Sequence, residues 1–259
     1  MAEHRYDLHT HTTYSDGSDL RDMVETAEEA GLEAIGLSDH AVVWDDPFDR
    51  SDRFDFHTTY EQRRSDIQEL QSSVDVDVLD GIELNYDPAY EDRIAAFLEE
   101  AAFDYVIGSV HYAGDHYIVR RGYFEDADEA TKREAVDTYV DWECQLITSE
   151  LFDIIGHFDL CERMPALSGY LTQDHMNALI DALSHADTAP EINAGKVWDE
   201  GNANDPELLG RARDAGIAFS LGSDAHAPTA ISDRQEYLQE IAAEVSLEVL
   251  PYDQIAGRS

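Results

Sequence analysis

Two cysteines, Cys144 and Cys161, are too few for a disulfide framework and lack the CxxC spacing, so neither a stapled secreted scaffold nor a thiolate metal knot is expected. Lysine occurs only at positions 132 and 196, and all basic residues together number 17 against 57 acidic ones, a formal net charge of −40. A chain so poor in cations lacks the groups that neutralise a nucleic-acid backbone, which excludes that class of partner. No stretch approaches the roughly 18 uncharged apolar residues of a spanning helix, so no membrane partner is expected. The opening MAEHRYDLHTH reaches charge at its third residue and offers no apolar run before a cleavage site; no signal peptide is expected, and the protein is read as cytoplasmic. Gly/Ser/Pro-rich linkers and internal repeats are also missing, so residues 1–259 are read as one domain. Nothing in the composition sets an oligomeric state.

What is abundant is acid, and it runs through helix faces such as VETAEEAGLEA and EDRIAAFLEE rather than forming a tail. Hydrated carboxylates spread in this way suit a halophilic protein, because salt at 1 M screens their repulsion to within roughly 3 Å. The acidity therefore reports habitat more than partner.

Short apolar runs alternate with longer segments of helical period, the signature of βα units around a parallel sheet. Seven strands are expected, in YDLH, AIGLS, VDVLDGIE, DYVIGSVH, FDIIGH, APEIN and IAFSLGSD. Helices are expected over residues 20–30, 58–71, 89–101, 130–150, 173–185 and 206–215, the last opening on Asp205 and Pro206 as cap and first turn. The one long irregular connection, residues 41–57, carries a tryptophan and three phenylalanines and is expected to pack down as a lid.

Metal-ligand residue types cluster at the ends of these strands. His9 and His11 follow the first, His40 the second, Glu83 ends the third, His111 follows the fourth, His157 the fifth, and Asp224 with His226 the seventh. Strand side chains alternate, so His9 and His11 point the same way, as do Asp224 and His226. In a parallel barrel these ends share one rim, where such barrels hold their active sites. Asp16 lies in the turn after His11. Imidazoles and carboxylates together suit zinc, iron or manganese rather than calcium or magnesium, and nine donors exceed the needs of one ion, so two or three divalent ions are expected. Cys161, four residues after His157, is read as a packed thiol.

The segments DLHTHTTYSDGS, GLSDH, GIE, IGSVH, IIGHFDL and LGSDAH, spread over residues 6–228, resemble the successive motifs of the polymerase and histidinol phosphatase (PHP) superfamily. LDGIELNYDP, FDYVIGSVHYAGDHYI, FDIIGHFDLCERMP and PEINAGK are most similar to its stand-alone histidinol-phosphatase branch. The resemblance implies a distorted (βα)7 TIM-like barrel. It implies one ion held by His9, His11, Glu83 and Asp224, a second reached by the bridging Glu83 and completed by His111 and His157, and a third held by Asp16, His40 and His226. The turn at Gly17 would swing Asp16 back to the third. The implied function is hydrolysis of a small phosphate monoester, most simply histidinol phosphate, by in-line attack of hydroxide without a phospho-enzyme.

Charge supports a phosphate ester. Three divalent ions, offset by three carboxylates and one hydroxide, leave a surplus that balances a phosphate dianion. Arg163 and Lys196, after the fifth and sixth strands, are the candidates for phosphate contact. Asp224 and His226 are candidates for helping to protonate the leaving oxygen. Tyr14, Trp44 and Trp198 are candidate pocket aromatics, and Asp45, Asp46, Asp49 and Asp52 candidate partners of a substrate amine. Other small phosphates, nucleotides among them, are the alternative substrates, and a non-catalytic metal-binding regulatory module is the alternative to an enzyme.

Overall fold

The computed structural model describes residues 4–44, 56–119, 122–195 and 204–257. All seven expected strands are present, as β1 (Tyr6–Thr10), β2 (Ala34–Leu37), β4 (Asp77–Asn85), β5 (Tyr105–Ser109), β8 (Ile154–Ile155), β9 (Ala189–Asn193) and β10 (Ala218–Gly222). They lie side by side in that order in one parallel curled sheet. Near-continuous apolar runs make this possible, since strands of a parallel sheet are covered on both faces. A short β3 (His40–Ala41) pairs with β4, and β11 (Glu248–Val249) pairs with β10. β6 (Tyr112–Ala113) and β7 (His116–Tyr117) form a separate antiparallel hairpin. Sequence reasoning did not anticipate these four small elements, which are too short to carry a period.

The sheet nearly closes on itself. At the C-terminal rim Thr10 and Ala225 form a parallel bridge, with His11 N donating to Ala225 O at 2.9 Å. At the opposite end β11 lies on β10, and the Tyr6 hydroxyl donates to Leu250 O at 2.7 Å. The distortion expected of the barrel sits at this seam. Tyr105 fills the interior: its hydroxyl donates to Leu8 O at 2.6 Å, and its ring passes so close to Gly36 and Gly81 that a Cβ at either would lie 2.0 or 2.2 Å from it.

Helices cover the outside: α1 (Leu20–Glu29), α2 (Phe56–Gln71), α3 (Glu91–Ala101), α4 (Glu129–Thr148), α5 (Leu160–Arg163), α6 (Gln173–His185), α7 (Pro206–Asp214) and α8 (Pro228–Val245). Six of them match expectation to within two residues at each end. α1 turns Leu20, Met23, Val24 and Ala27 inward and opens on Asp19, whose carboxylate accepts from Arg21 N at 3.0 Å. α3 starts late because Pro88–Tyr90 first form a 3-10 turn capped by Asp87. α5 and α8 were not expected. No helix among the described residues is long and apolar enough to cross a membrane. Most of the expected lid, residues 45–55, with the candidate aspartates Asp45, Asp46, Asp49 and Asp52, lies outside the described residues.

Candidate metal centre

All nine predicted donors meet at the C-terminal rim, and Glu83 is their hub. Its Oε2 stands 3.4 Å from His9 Nε2, 3.7 Å from His11 Nε2 and 2.5 Å from His40 Nδ1, while its Oε1 faces His111 Nε2 at 3.6 Å and His157 Nε2 at 3.1 Å. Asp224 Oδ1 lies 3.3 Å from His11 Nε2 and 3.9 Å from His9 Nε2. Asp16 Oδ1 lies 3.2 Å from His226 Nε2 and 3.8 Å from His40 Nε2. Donors bound to one zinc at ~2.0–2.1 Å in a tetrahedron sit about 3.4 Å apart, and apart from the 2.5 Å contact of His40 with Glu83 these separations, 3.1–3.9 Å, lie around that value. Three sets of donors emerge: His9, His11 and Glu83; Glu83, His111 and His157; and His11, Asp16, His40 and His226. His11 thus stands between the first set and the third, with its ring 4.1 Å from that of His226 and 4.2 Å from that of His40.

The local sequence explains the convergence. His40 is opposite Glu83 in the β3–β4 register, which brings the end of the second βα unit onto the third strand. Asp16 returns to the rim because the loop after His11 folds tightly, with Ser15 N and Gly17 N both donating to Thr12 O, at 3.0 and 2.8 Å. Asp224 and His157 have positive φ, 54° and 28°, a conformation that costs side-chain-bearing residues about 1–3 kcal/mol and persists only where the surroundings fix it. Arg234 of α8 fixes the first by donating Nη1 to both Ser223 O and Asp224 O at 2.7 Å.

The chemistry of the donor set fits metal ions. His9 Nε2 and both ring nitrogens of His11 are buried without a hydrogen-bond partner among the described residues. Unpaired buried polar atoms cost about 1–3 kcal/mol each, and ring nitrogens that converge with shared carboxylates are groups that can donate lone pairs to a divalent ion. Electrostatics divide the imidazoles. Burial, with His40 and His226 alongside, pushes His11 down to about 4, and burial likewise takes His111 to about 3, so both keep a free lone pair at neutral pH. Burial opposes ionisation of Glu83, but His40 and His9 overcome it and hold the carboxyl well below its ordinary range. Asp224 is held low against its own burial by His9, His11 and His226. Burial would lower His40, yet Glu83 and Asp16 raise it to about 10.

Around the donors lies a second set of polar side chains that sequence reasoning missed. Ser109 Oγ donates to Glu83 Oε1 at 2.7 Å, and His111 Nδ1 meets Asn85 Oδ1. Asp7 accepts from His9 N at 3.1 Å and Ser223 N at 2.9 Å, joining β1 to the end of β10. Asp39 secures the Asp16 loop by accepting from Thr12 N, Thr12 Oγ1 and Ser15 Oγ at 2.6–2.8 Å, and buried Arg63 of α2 pairs with it at 2.7 Å. Glu191 of β9 stands 2.8 Å from His9 Nδ1. The one signal for Asp7, Asn85, Ser109 and Glu191 is a polar side chain inside an otherwise apolar strand.

The remaining candidates fall elsewhere. Arg163, a candidate for phosphate contact, is 2% exposed, with Nε on Asp159 at 2.6 Å, Nη1 on Asn193 Oδ1 at 2.9 Å and Nη2 on Asn204 Oδ1 at 2.8 Å. Its position in a short helix, where a strand end was extrapolated as loop, turns it into the core. Lys196 and Trp198 lie outside the described residues. Trp44 stacks on Tyr90 at 4.8 Å, and the Tyr14 hydroxyl donates to Asp66 at 2.5 Å. Cys161 is fully buried, as expected of a packed thiol.

A sequence model of the PHP domain matches residues 7–195. A probable histidinol-phosphatase of Deinococcus radiodurans is 30% identical over 88% of this chain and 88% of that one, and a histidinol-phosphatase of Lactococcus lactis is 25% identical over 86% and 84%. The fold is similar to the crystal structure of a histidinol phosphate phosphatase from Lactococcus lactis complexed with zinc, L-histidinol and phosphate (TM-score 0.76, 23% identity, 95% of each chain). It is also similar to that of a Listeria monocytogenes protein (TM-score 0.72, 20% identity, 88% of this chain and 97% of that one).

Proposed function

This chain belongs to the PHP domain family, and from that premise we propose that it is a metal-dependent phosphomonoesterase that hydrolyses histidinol phosphate to histidinol, a step of histidine biosynthesis. The observation that carries the reading is the shared carboxylate, Glu83, whose two oxygens face two different histidine sets within one buried bowl. The choice of histidinol phosphate is supported by the two histidinol-phosphatase relatives, which match this chain over most of its length.

In this reading His9, His11, Glu83 and Asp224 hold one ion, Glu83, His111 and His157 a second, and Asp16, His40 and His226 a third, with zinc, manganese or iron as the metal. Bound divalent ions supply Lewis acidity that brings the pKa of water toward ~7 and neutralises phosphate oxygens. The chain's own residues set where this happens. Glu83 and Asp224, kept ionised by neighbouring imidazoles, hold the centre's negative charge in the floor of the bowl. Asp16 and His226, with side chains 44% and 38% exposed, form its open side, and the phosphate ester enters there. Ser15 Oγ is committed to Asp39 and Cys161 is sealed in the core, so neither serves as a nucleophile and attack on phosphorus is direct. Asp224 and His226, side by side at this rim, would assist protonation of the leaving oxygen.

Elemental analysis of protein purified at high salt, coupled to phosphate-release assays, tests the reading. Two to three equivalents of transition metal are expected, with kcat/KM for histidinol phosphate well above that for nucleoside monophosphates. Fewer than two equivalents, or a covalent phosphoryl adduct trapped on the protein, would overturn it.

A further inference from the structure

Glu191 belongs to none of the three donor sets, yet it touches a member of two of them. β9 is buried along its whole length, and Glu191 and Asn193, two positions apart, face the same side. Glu191 Oε1 meets His9 Nδ1 at 2.8 Å, while Oε2 accepts from His157 N at 3.2 Å and from Asn193 Nδ2 at 2.9 Å. Asn193 has its amide orientation fixed in turn, because its Oδ1 receives Arg163 Nη1 at 2.9 Å and Gly195 N at 2.7 Å, which leaves the nitrogen for Glu191. Gly222 on the neighbouring strand makes the space: a Cβ there would lie 1.7 Å from Glu191 Oε1 and 2.5 Å from the Cβ of His9.

We propose that Glu191 is a positioning residue for the metal centre, holding His9 in the tautomer that carries its proton on Nδ1 and anchoring the backbone of His157, so that one buried carboxylate sets donors of two ion sites. The inference rests on the metal-centre reading above. A carboxylate only accepts, so its contact with His9 places a proton on Nδ1 and makes Nε2, on the side of Glu83 and Asp224, the nitrogen an ion would take. The same carboxylate ties down His157 N, which keeps that residue in its positive-φ conformation and its ring beside Glu83 Oε1. Arg163 acts two steps away: it orients Asn193, and Asn193 orients Glu191.

Glu191→Gln is nearly isosteric but has one accepting atom. With that oxygen on His9, its NH2 opposes His157 N–H and Asn193 Nδ2; turned over, the NH2 forces the His9 proton onto Nε2 and blocks the ligand position. Metal-free wild type and variant are titrated with Zn²⁺ by calorimetry and with Co²⁺ by absorption. The two ions that share Glu83 should bind ~10–100-fold more weakly in the variant, with the Asp16, His40 and His226 ion retained. Equal affinities and equal Co²⁺ spectra overturn the proposal. A second measurement does not depend on the variant folding: ¹⁵N NMR of the zinc-loaded wild type should find His9 protonated at Nδ1, and the opposite tautomer overturns the proposal. A wild type that takes up no Zn²⁺ overturns the metal-centre reading along with it, a result distinct from a metal-binding protein whose variant is indifferent.

Discussion

Replacing Glu143 by Gln should change the pH dependence of stability. Glu143 lies in the middle of α4, fully buried, and neither carboxylate oxygen makes a hydrogen bond of ordinary geometry among the described residues. Burial pushes its carboxyl from an ordinary 4.5 up to about 8, with the Tyr139 hydroxyl offsetting part of the effect and Asp159 adding to it. The folded chain therefore keeps a proton that the unfolded chain has released, so stability is full below pH 4.5 and falls as pH climbs toward 8. Between pH 5 and pH 8 the loss is on the order of 3 kcal/mol, from ~1.4 kcal/mol per pH interval crossed. For a chain of this size that corresponds to a melting temperature lower by roughly 5–10 °C. Thermal unfolding of wild type and Glu143→Gln at pH 5 and pH 8, in one high salt concentration, isolates the effect as a double difference in which all other titrations cancel. The variant should match or trail the wild type at pH 5 and exceed it at pH 8. A double difference below about 1 kcal/mol would refute the reasoning, since the buried acid would then be finding an unseen partner or water.

Arg63→Ala should destabilise the fold by about 3–5 kcal/mol, because it leaves the buried Asp39 carboxylate without its cation while Asp80 keeps only Arg64, and urea unfolding reads the loss directly. The same variant should also weaken binding of the ion assigned to Asp16, as Asp39 secures that loop; an unchanged Zn²⁺ isotherm would separate the two roles. Removing metal with a chelator should abolish phosphate release and lower the melting temperature, with both restored by Zn²⁺ at a given molar ratio. Uptake of metal should release protons and tighten as pH rises toward 10, because His40, raised to about 10, must lose its proton to coordinate; calorimetry in buffers of different ionisation enthalpy counts them. With a net charge of −40, stability should increase as salt is raised from ~0.1 M to ~1 M and the screening length falls from ~10 to ~3 Å, and a flat response would show the surface repulsion to be negligible.

The barrel strands were legible because each is an apolar run bounded by a charged or glycine-rich rim, and burial on both faces leaves little else for such runs to be. The donors were legible for a related reason: six histidines placed at strand ends are not what scattered surface histidines look like. Supporting groups were hidden. Glu191 sits inside APEIN as one acid in a chain full of acids, and composition masks the one that is buried. Arg163 misled because adjacency to a strand end fixes a residue's height above the sheet but not its direction, and α5 turns its side chain inward. α8 is hard to read because only Ile231, Leu238 and Ala242 of its 18 residues are buried apolar positions, yet its Arg234 holds the backbone of Asp224.

The seam between β1 and β10 brings together the chain's first pair of donors and its last. Asp7 and Ser223, which clasp it, are 216 positions apart. During synthesis His9 and His11 emerge early, and the donor set they would share with Asp224 stays incomplete until the final βα unit has arrived and docked. A truncated or stalled chain that ends before the last strand therefore carries the first histidines without Asp224 and His226 beside them.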